Sequence, residues 1–491
     1  MSVKYKSALL GLAIIISLGI AVLISMNNSK VWGLNDYNSQ KLDWQDCYGE
    51  FQCSSFKVPI DYDNMDNKNF VLQVLKHSAL DQAKKLGAIV VNPGGPGGSA
   101  VHYAFNAKYI VSNELLKKYD IVGFDSRGIN NSEEIRCLTD SEEDAFLNAD
   151  ASDGKPQSVA NLEAISKDFA AKCARSAGAK LGHVSTLEAA KDMEILRILL
   201  SEDKLNYLGK SYGTYLGTLY ASLFPKSVGR MVLDGAVDPS SSLREQQIAQ
   251  AVGFDQALNN YLASQSKFSL ADIQTLIMNS KSNPMEDSSG RKATQSLVIT
   301  AIAQSLYDPN DGWRELSKLL SKAITKEDPS GIFELADSYN SRDESGSYYS
   351  NQNDIAIMIT CLDWQEPRTV EQMGSDRDAF IKAAPVFGQF LNFAGLPCKY
   401  WKAKPQLPKI QITKIITSPI IIIGVTEDPA TPYEWSQNLA KVFPNSKLLT
   451  LRGEGHTGHN QGNKCVDSTV DSYYLTGKIR TSALICAESG N

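Results

Sequence analysis

The chain has 491 residues and a formal net charge of −6, with 43% hydrophobic and 21% charged residues. That balance suits a globular protein with a sizeable core, and the length calls for one large domain with an insertion or for two domains. The acidic surplus excludes nucleic acid as a partner, because phosphate binding needs a basic surface.

Lys4 and Lys6 precede an apolar run from Ala8 to Ile24, interrupted by Ser17 and followed at once by Ser25, Asn27, Asn28 and Lys30. A positive start and an apolar core describe a secretory signal. The run is long for a cleaved peptide and close to the minimum for a spanning helix, and no clean A-x-A site follows it. A removed signal peptide and an uncleaved anchor that tethers the chain to a membrane through residues 8–24 both remain open. Either places the rest of the chain in a secreted, periplasmic or cell-surface location. The eight cysteines (Cys47, Cys53, Cys137, Cys173, Cys361, Cys398, Cys465 and Cys486) agree with export. They permit about a hundred connectivities; pairing of sequence neighbours is the simplest. No tight Cys or His-Cys cluster of the kind that binds zinc is present, so no metal is expected.

After a polar lead-in from about 31 to 60, strand and helix patterns alternate. Gly87–Val91 and Tyr119–Phe124 read as buried strands. Leu187–Leu200 has helical spacing, with Ser185 as N-cap and Glu188 completing a capping box. Leu205–Leu208 is a short strand, Thr214–Phe224 a helix and Arg230–Asp234 another strand. Such alternation predicts a mostly parallel central sheet with helices on both faces. From about 240 to 405 helical segments dominate, and then Pro419–Gly424, Pro432–Phe443 and Lys447–Leu451 resume the strand–helix–strand order. The expected organisation is a leader at 1–30, a core in two parts at 31–239 and 406–491, and a mainly helical cap inserted at 240–405.

Between the 205–208 strand and its helix lies Gly209-Lys-Ser211-Tyr-Gly213. A G-x-S-x-G pattern alone occurs by chance in roughly one chain in six of this length. Its place between strand and helix is that of a nucleophile elbow, which identifies the α/β-hydrolase fold and makes Ser211 the candidate nucleophile. A serine needs a base, and of five histidines only His456 and His459 follow Ser211 in the order this fold uses. His456, in the Gly-bearing loop after the last strand, is preferred. Asp428 follows the preceding strand and is the preferred acid, with Glu427 beside it and Asp234 as rivals. Asn92-Pro-Gly-Gly-Pro-Gly-Gly-Ser99, directly after a strand, can bring a backbone N–H to a substrate carbonyl, and the N–H of Tyr212 would be the second oxyanion donor. Gly95-Pro-Gly97-Gly-Ser-Ala100 also fits a loose dinucleotide pattern, with two unusual prolines.

These residues resemble the prolyl-iminopeptidase and tripeptidyl-aminopeptidase family of α/β-hydrolase serine peptidases. The Asn92–Gly98 loop is similar to that family's oxyanion loop, and Asp125-Ser-Arg-Gly128 to its D-x-R-G turn, with Asn130 where a Gly is usual. Gly209–Gly213, Asp428–Pro432 and Gly455-His456 match the elbow, acid turn and base, and Cys465–Cys486 looks like the secreted branch. The resemblance implies a Ser211, Asp428 and His456 triad, Gly95 and Tyr212 as backbone oxyanion donors, and no cofactor. It also implies peptide substrates with a free N-terminus, shortened by one or a few residues per cut. Asp363, in Cys361-Leu-Asp-Trp364, is the candidate for the substrate ammonium or else a structural aspartate beside a disulfide. An esterase or lipase with the same triad, and a non-catalytic binding protein on the same scaffold, are the alternatives. The oligomeric state is left open.

Overall fold

A computed structural model describes residues 32–403, 414–479 and 484–487, and the apolar run 8–24 lies outside them. Among the described residues no helix is long and apolar enough to cross a membrane. Among the described residues ten strands form one sheet: β1 (Gln45–Cys47), β2 (Phe51–Pro59), β3 (Asn69–His77), β4 (Gly87–Asn92), β5 (Tyr119–Phe124), β6 (Leu205–Lys210), β7 (Val228–Asp234), β8 (Ile421–Glu427), β9 (Lys447–Glu454) and β10 (Ile485–Cys486). Their order is β1-β2-β3-β5-β4-β6-β7-β8-β9-β10. The pairs β1/β2, β2/β3 and β3/β5 are antiparallel, and every pair from β5/β4 to β9/β10 is parallel.

The central parallel strands β4 to β8 are largely buried on both faces, as a sheet covered twice requires. Side chains alternate along each strand. Val90, Val122, Tyr207, Leu233 and Ile422 join one core with Met193, Leu216 and Leu439 of the helices Thr186–Leu199, Tyr212–Leu223 and Tyr433–Val442. Ile89, Ile121, Leu208, Val232 and Ile421 join the opposite core with Ala104, Leu115 and Val470. This is the α/β-hydrolase arrangement.

The antiparallel strands β1 to β3 depart from the expected organisation. β1 and β2 occupy the stretch read as a polar lead-in, and the Cys47–Cys53 disulfide ties them together. Ser185 does cap its helix, accepting the Glu188 N–H at 3.4 Å. The Glu188 carboxylate does not return the bond, because Arg127 and His183 take it at 3.2 and 3.1 Å.

Between β7 and residue 403 the described chain is mainly helical, with long helices at Leu243–Ser264, Leu270–Ser282, Gln295–Leu306, Asp311–Lys326, Ser330–Asn340, Gln352–Asp363 and Val370–Ala383. The first five share their own apolar core, including Phe254, Leu258, Ile302, Leu320 and Phe333. Helix Gln352–Asp363 behaves differently: Ile355, Met358, Ile359 and Leu362 enter the main core under the sheet. The four disulfides join sequence neighbours, Cys47–Cys53, Cys137–Cys173, Cys361–Cys398 and Cys465–Cys486, which is the simplest pairing.

Candidate active site

β6 ends at Lys210, and the chain turns at Ser211 into helix Tyr212–Leu223. Ser211 has φ 53° and ψ −127°, a conformation that L residues rarely adopt and that costs on the order of 1–3 kcal/mol. The turn is held by the Ser211 N–H on the Asp234 carbonyl at 2.8 Å and by the Thr214 N–H on the Ser211 carbonyl at 2.8 Å. Tight packing explains the flanking glycines. A Cβ on Gly213 would lie 2.8 Å from Asn92 Oδ1.

The glycine-rich loop after β4 rests on this turn. Gly94 has φ 98°, and a Cβ there would meet the Lys210 carbonyl at 2.6 Å, Ser211 Cβ at 2.8 Å and Tyr212 N at 3.1 Å. The Gly94-Gly95 backbone therefore passes beside the nucleophile turn and the first N–H of the helix, where developing negative charge is favoured.

Asp428 follows β8 and is buried. It is both a turn residue and an imidazole partner. Oδ1 accepts the N–H groups of Ala430 (2.9 Å) and Thr431 (2.8 Å), and Oδ2 accepts Thr431 Oγ1–H (2.9 Å). His456 Nδ1 lies 2.9 Å from Oδ1 and 3.0 Å from Oδ2. With Nδ1 committed to Asp428, Nε2 is the ring nitrogen left for proton exchange. The imidazole also adjoins the nucleophile turn through Gly235, where a Cβ would lie 3.3 Å from His456 Cε1. Gly235 follows the Asp234 whose carbonyl holds Ser211.

The rivals are placed elsewhere. Glu427 ends β8 opposite Glu454 of β9. The Asp234 carboxylate accepts the N–H groups of Gly458 at 2.8 Å and His459 at 2.9 Å. His459 is 1% exposed, and burial, with Lys210 nearby, pushes its pKa down to about 3. An imidazole that resists its cation this strongly is unsuited to a base.

Asp363 is not brought to a cleft. It is 3% exposed and lies behind the elbow, accepting the Thr186 N–H at 3.0 Å and the Thr186 hydroxyl. Thr186 Oγ1 in turn bonds the Tyr212 hydroxyl. Burial, against the Thr186 hydrogen bonds, raises the Asp363 pKa to about 7.

Two neighbours of His456 were missed by sequence reasoning. Thr431 Oγ1 lies 3.3 Å from His456 Nδ1, and its place inside the acid turn was the available signal. Tyr307, from the helical insertion, accepts the His456 N–H on its carbonyl at 2.9 Å and sets its ring edge-on to the imidazole at 5.2 Å. No local motif marks it. Tyr307, Asp308, Pro309 and Trp313 face Glu454 and His456 across a cleft of about 730 Å³.

Arg127, of the D-x-R-G turn, is buried with its guanidinium on Asp192, Glu188 and the carbonyls of Pro59, Ile60 and His183. Asn130, where the family usually has Gly, takes φ 41° and donates its N–H to Asn351 Oδ1 at 3.1 Å. Asn is among the residues that tolerate this left-handed region, so the turn keeps its shape.

The alpha/beta hydrolase fold family model matches residues 87–296, and the TAP-like protein family model matches residues 384–486. Serine protease Hip1 of Mycobacterium tuberculosis is 32% identical over 480 residues, covering 91% of this chain and 91% of its own. Tripeptidyl aminopeptidase of Streptomyces lividans is 29% identical over 469 residues, covering 91% of this chain and 86% of its own. Carboxylesterase B of Mycobacterium tuberculosis is 33% identical over 453 residues, covering 89% of this chain and 86% of its own. With a relative 32% identical along 91% of its length, the chain belongs to the tripeptidyl-aminopeptidase-like family of α/β-hydrolase serine peptidases.

Proposed function

We propose that this serine hydrolase is an exported exo-aminopeptidase that releases one or a few residues from peptide N-termini through a Ser211–His456–Asp428 acyl-enzyme mechanism. The observation that carries the reading is the contact of His456 Nδ1 with both Asp428 oxygens, in a loop that adjoins the Ser211 turn. His456 Nε2 takes the Ser211 hydroxyl proton as Oγ attacks the scissile carbonyl. The N–H groups of Gly95 and Tyr212 receive the oxyanion. The imidazolium then protonates the leaving amine, and water, deprotonated by the same imidazole, releases the acyl group. Asp428 fixes the tautomer and stabilises the cation. Four disulfides support export.

Ser211→Ala is expected to abolish both hydrolysis and fluorophosphonate labelling with the fold intact. Retained peptidase activity in the purified variant would sink the assignment. The second reading, an esterase with the same triad, is favoured by the relative named as a carboxylesterase. Turnover of peptidyl arylamides against acyl esters separates the two, and N-terminal acetylation should abolish cleavage only for an aminopeptidase. A peptide-library digest read by mass spectrometry gives the number of residues removed per cut.

A further inference from the structure

We infer that Lys210 and Asp234 form a buried clasp that positions the His456 loop against the Ser211 turn, so that both act as positioning residues for the reaction. The inference rests on the triad proposed above. Lys210 is the first of the two unspecified residues of the G-x-S-x-G motif and directly precedes Ser211. Its side chain is 11% exposed, and its Nζ donates to the His459 carbonyl at 2.7 Å and lies 3.5 Å from Thr457 Oγ1. It stands 3.9 Å from Asp234 Oδ2, which is wholly buried. Asp234 holds both sides at once. Its backbone carbonyl takes the Ser211 N–H, and its carboxylate takes the N–H groups of Gly458 and His459. Asp467 adds a second acidic hold, accepting the Asn460 N–H at 2.7 Å.

The loop needs such a hold. Thr457, next to the base, has φ 69°, and Asn460 has φ 59°. A β-branched residue in that region is a true outlier, and such strain persists only where the surroundings over-determine it. The pair is poorly explained as a stabiliser, because a buried ion pair gains little over a hydrophobic pair of the same shape. Its geometry explains it better: one residue from each of two adjacent strand ends grips the peptide groups that follow the base.

The test measures fluorophosphonate labelling of Ser211, together with kcat and KM, in wild type, Asp234→Asn, and the double variant Lys210→Met with Asp234→Asn, which removes both members of the buried pair together. A displaced base predicts that labelling and kcat fall about tenfold to a hundredfold in both variants, with KM within about twofold. Folded variants that label at the wild-type rate overturn the clasp. A wild type that does not label overturns the triad reading instead, and the clasp with it. Hydrogen exchange on the wild-type protein is independent of how the variants fold. The Gly458 and His459 amides should be as protected as those of β9, and fast exchange there also overturns the proposal.

Discussion

The nucleophile turn and the base loop meet at Asp234 and Gly235 but are held by different means. The turn is fixed mainly by its own strand end, helix start and glycines, which let the Gly94 backbone and the Asp234 carbonyl approach within contact. The base loop has little local structure. His456 is held by Asp428 from β8, by the Tyr307 carbonyl from the helical insertion, and through its neighbours by Asp234 from β7. The first kind of order leaves a mark in neighbouring residues. The second is a set of long-range contacts.

Perturbations of the two sides should therefore fail differently. The largest effect is expected at the orienting carboxylate. Asp428→Asn keeps the shape of the acid turn but presents an amide to His456 Nδ1, so the wrong tautomer is favoured. Steady-state kcat should fall by about 10³–10⁴ with the fold retained. A loss below about tenfold would give the orienting role to another residue. On the nucleophile side, Gly94→Ala places a Cβ against the Lys210 carbonyl and Ser211 Cβ at a φ of 98°. With Gly95 as the proposed oxyanion donor, displacing its N–H should cost about 10²–10³ in kcat, the usual effect of losing one such donor. The proposed Tyr212 donor on the helix is untouched, so phosphonate labelling should suffer less than turnover.

Tyr307→Ala removes the ring that stands edge-on to the imidazole but leaves the carbonyl that holds the His456 N–H. A smaller loss is expected, about tenfold in kcat, of the order that a 1 Å displacement allows. If turnover is unchanged, the insertion contributes to the base only through its backbone.

The same contrast governs what the sequence makes legible. β4 to β8 are visible because parallel strands covered on both faces carry apolar runs such as Ile420–Ile423. β2 hides because Gln52, Ser54, Ser55 and Lys57 interleave with its buried residues, and β3 offered only the alternation of Phe70, Leu72 and Val74. At the site, Ser211, Asp428 and His456 can be read from motif order and the scarcity of histidines. Tyr307 cannot, because only folding brings the insertion to the base loop. Asp234 was visible as a carboxylate at a strand end, but two backbone N–H groups, not an imidazole, occupy it.

Asp363 tests whether the nucleophile side is as local as it looks. It belongs to helix Gln352–Asp363, yet it reaches Tyr212 through Thr186. Burial raises its pKa to about 7, well above the usual carboxylate range. Between the two values the folded protein keeps a proton that the unfolded chain has released. The favourable contribution is therefore complete in acid, below the unfolded pKa, and is lost as pH rises through about 7. Asp363→Asn removes this titration. Its stability should decline less than that of wild type between acid and neutral pH, with a difference on the order of a few kcal/mol. Unfolding midpoints measured against pH in both proteins check this. Asp125, Glu143 and Asp354 are also raised by burial, to about 6, 7 and 6, but they are common to both proteins and drop out of the difference. Parallel curves would mean that Asp363 titrates as an ordinary carboxylate. Curves that diverge toward neutral pH, with kcat of the variant near that of wild type, would make the link to Tyr212 a matter of folding and leave the elbow held by its own residues. Divergence with a lowered kcat would extend long-range control to the oxyanion side, and the two halves of the site would differ only in how much of it they use.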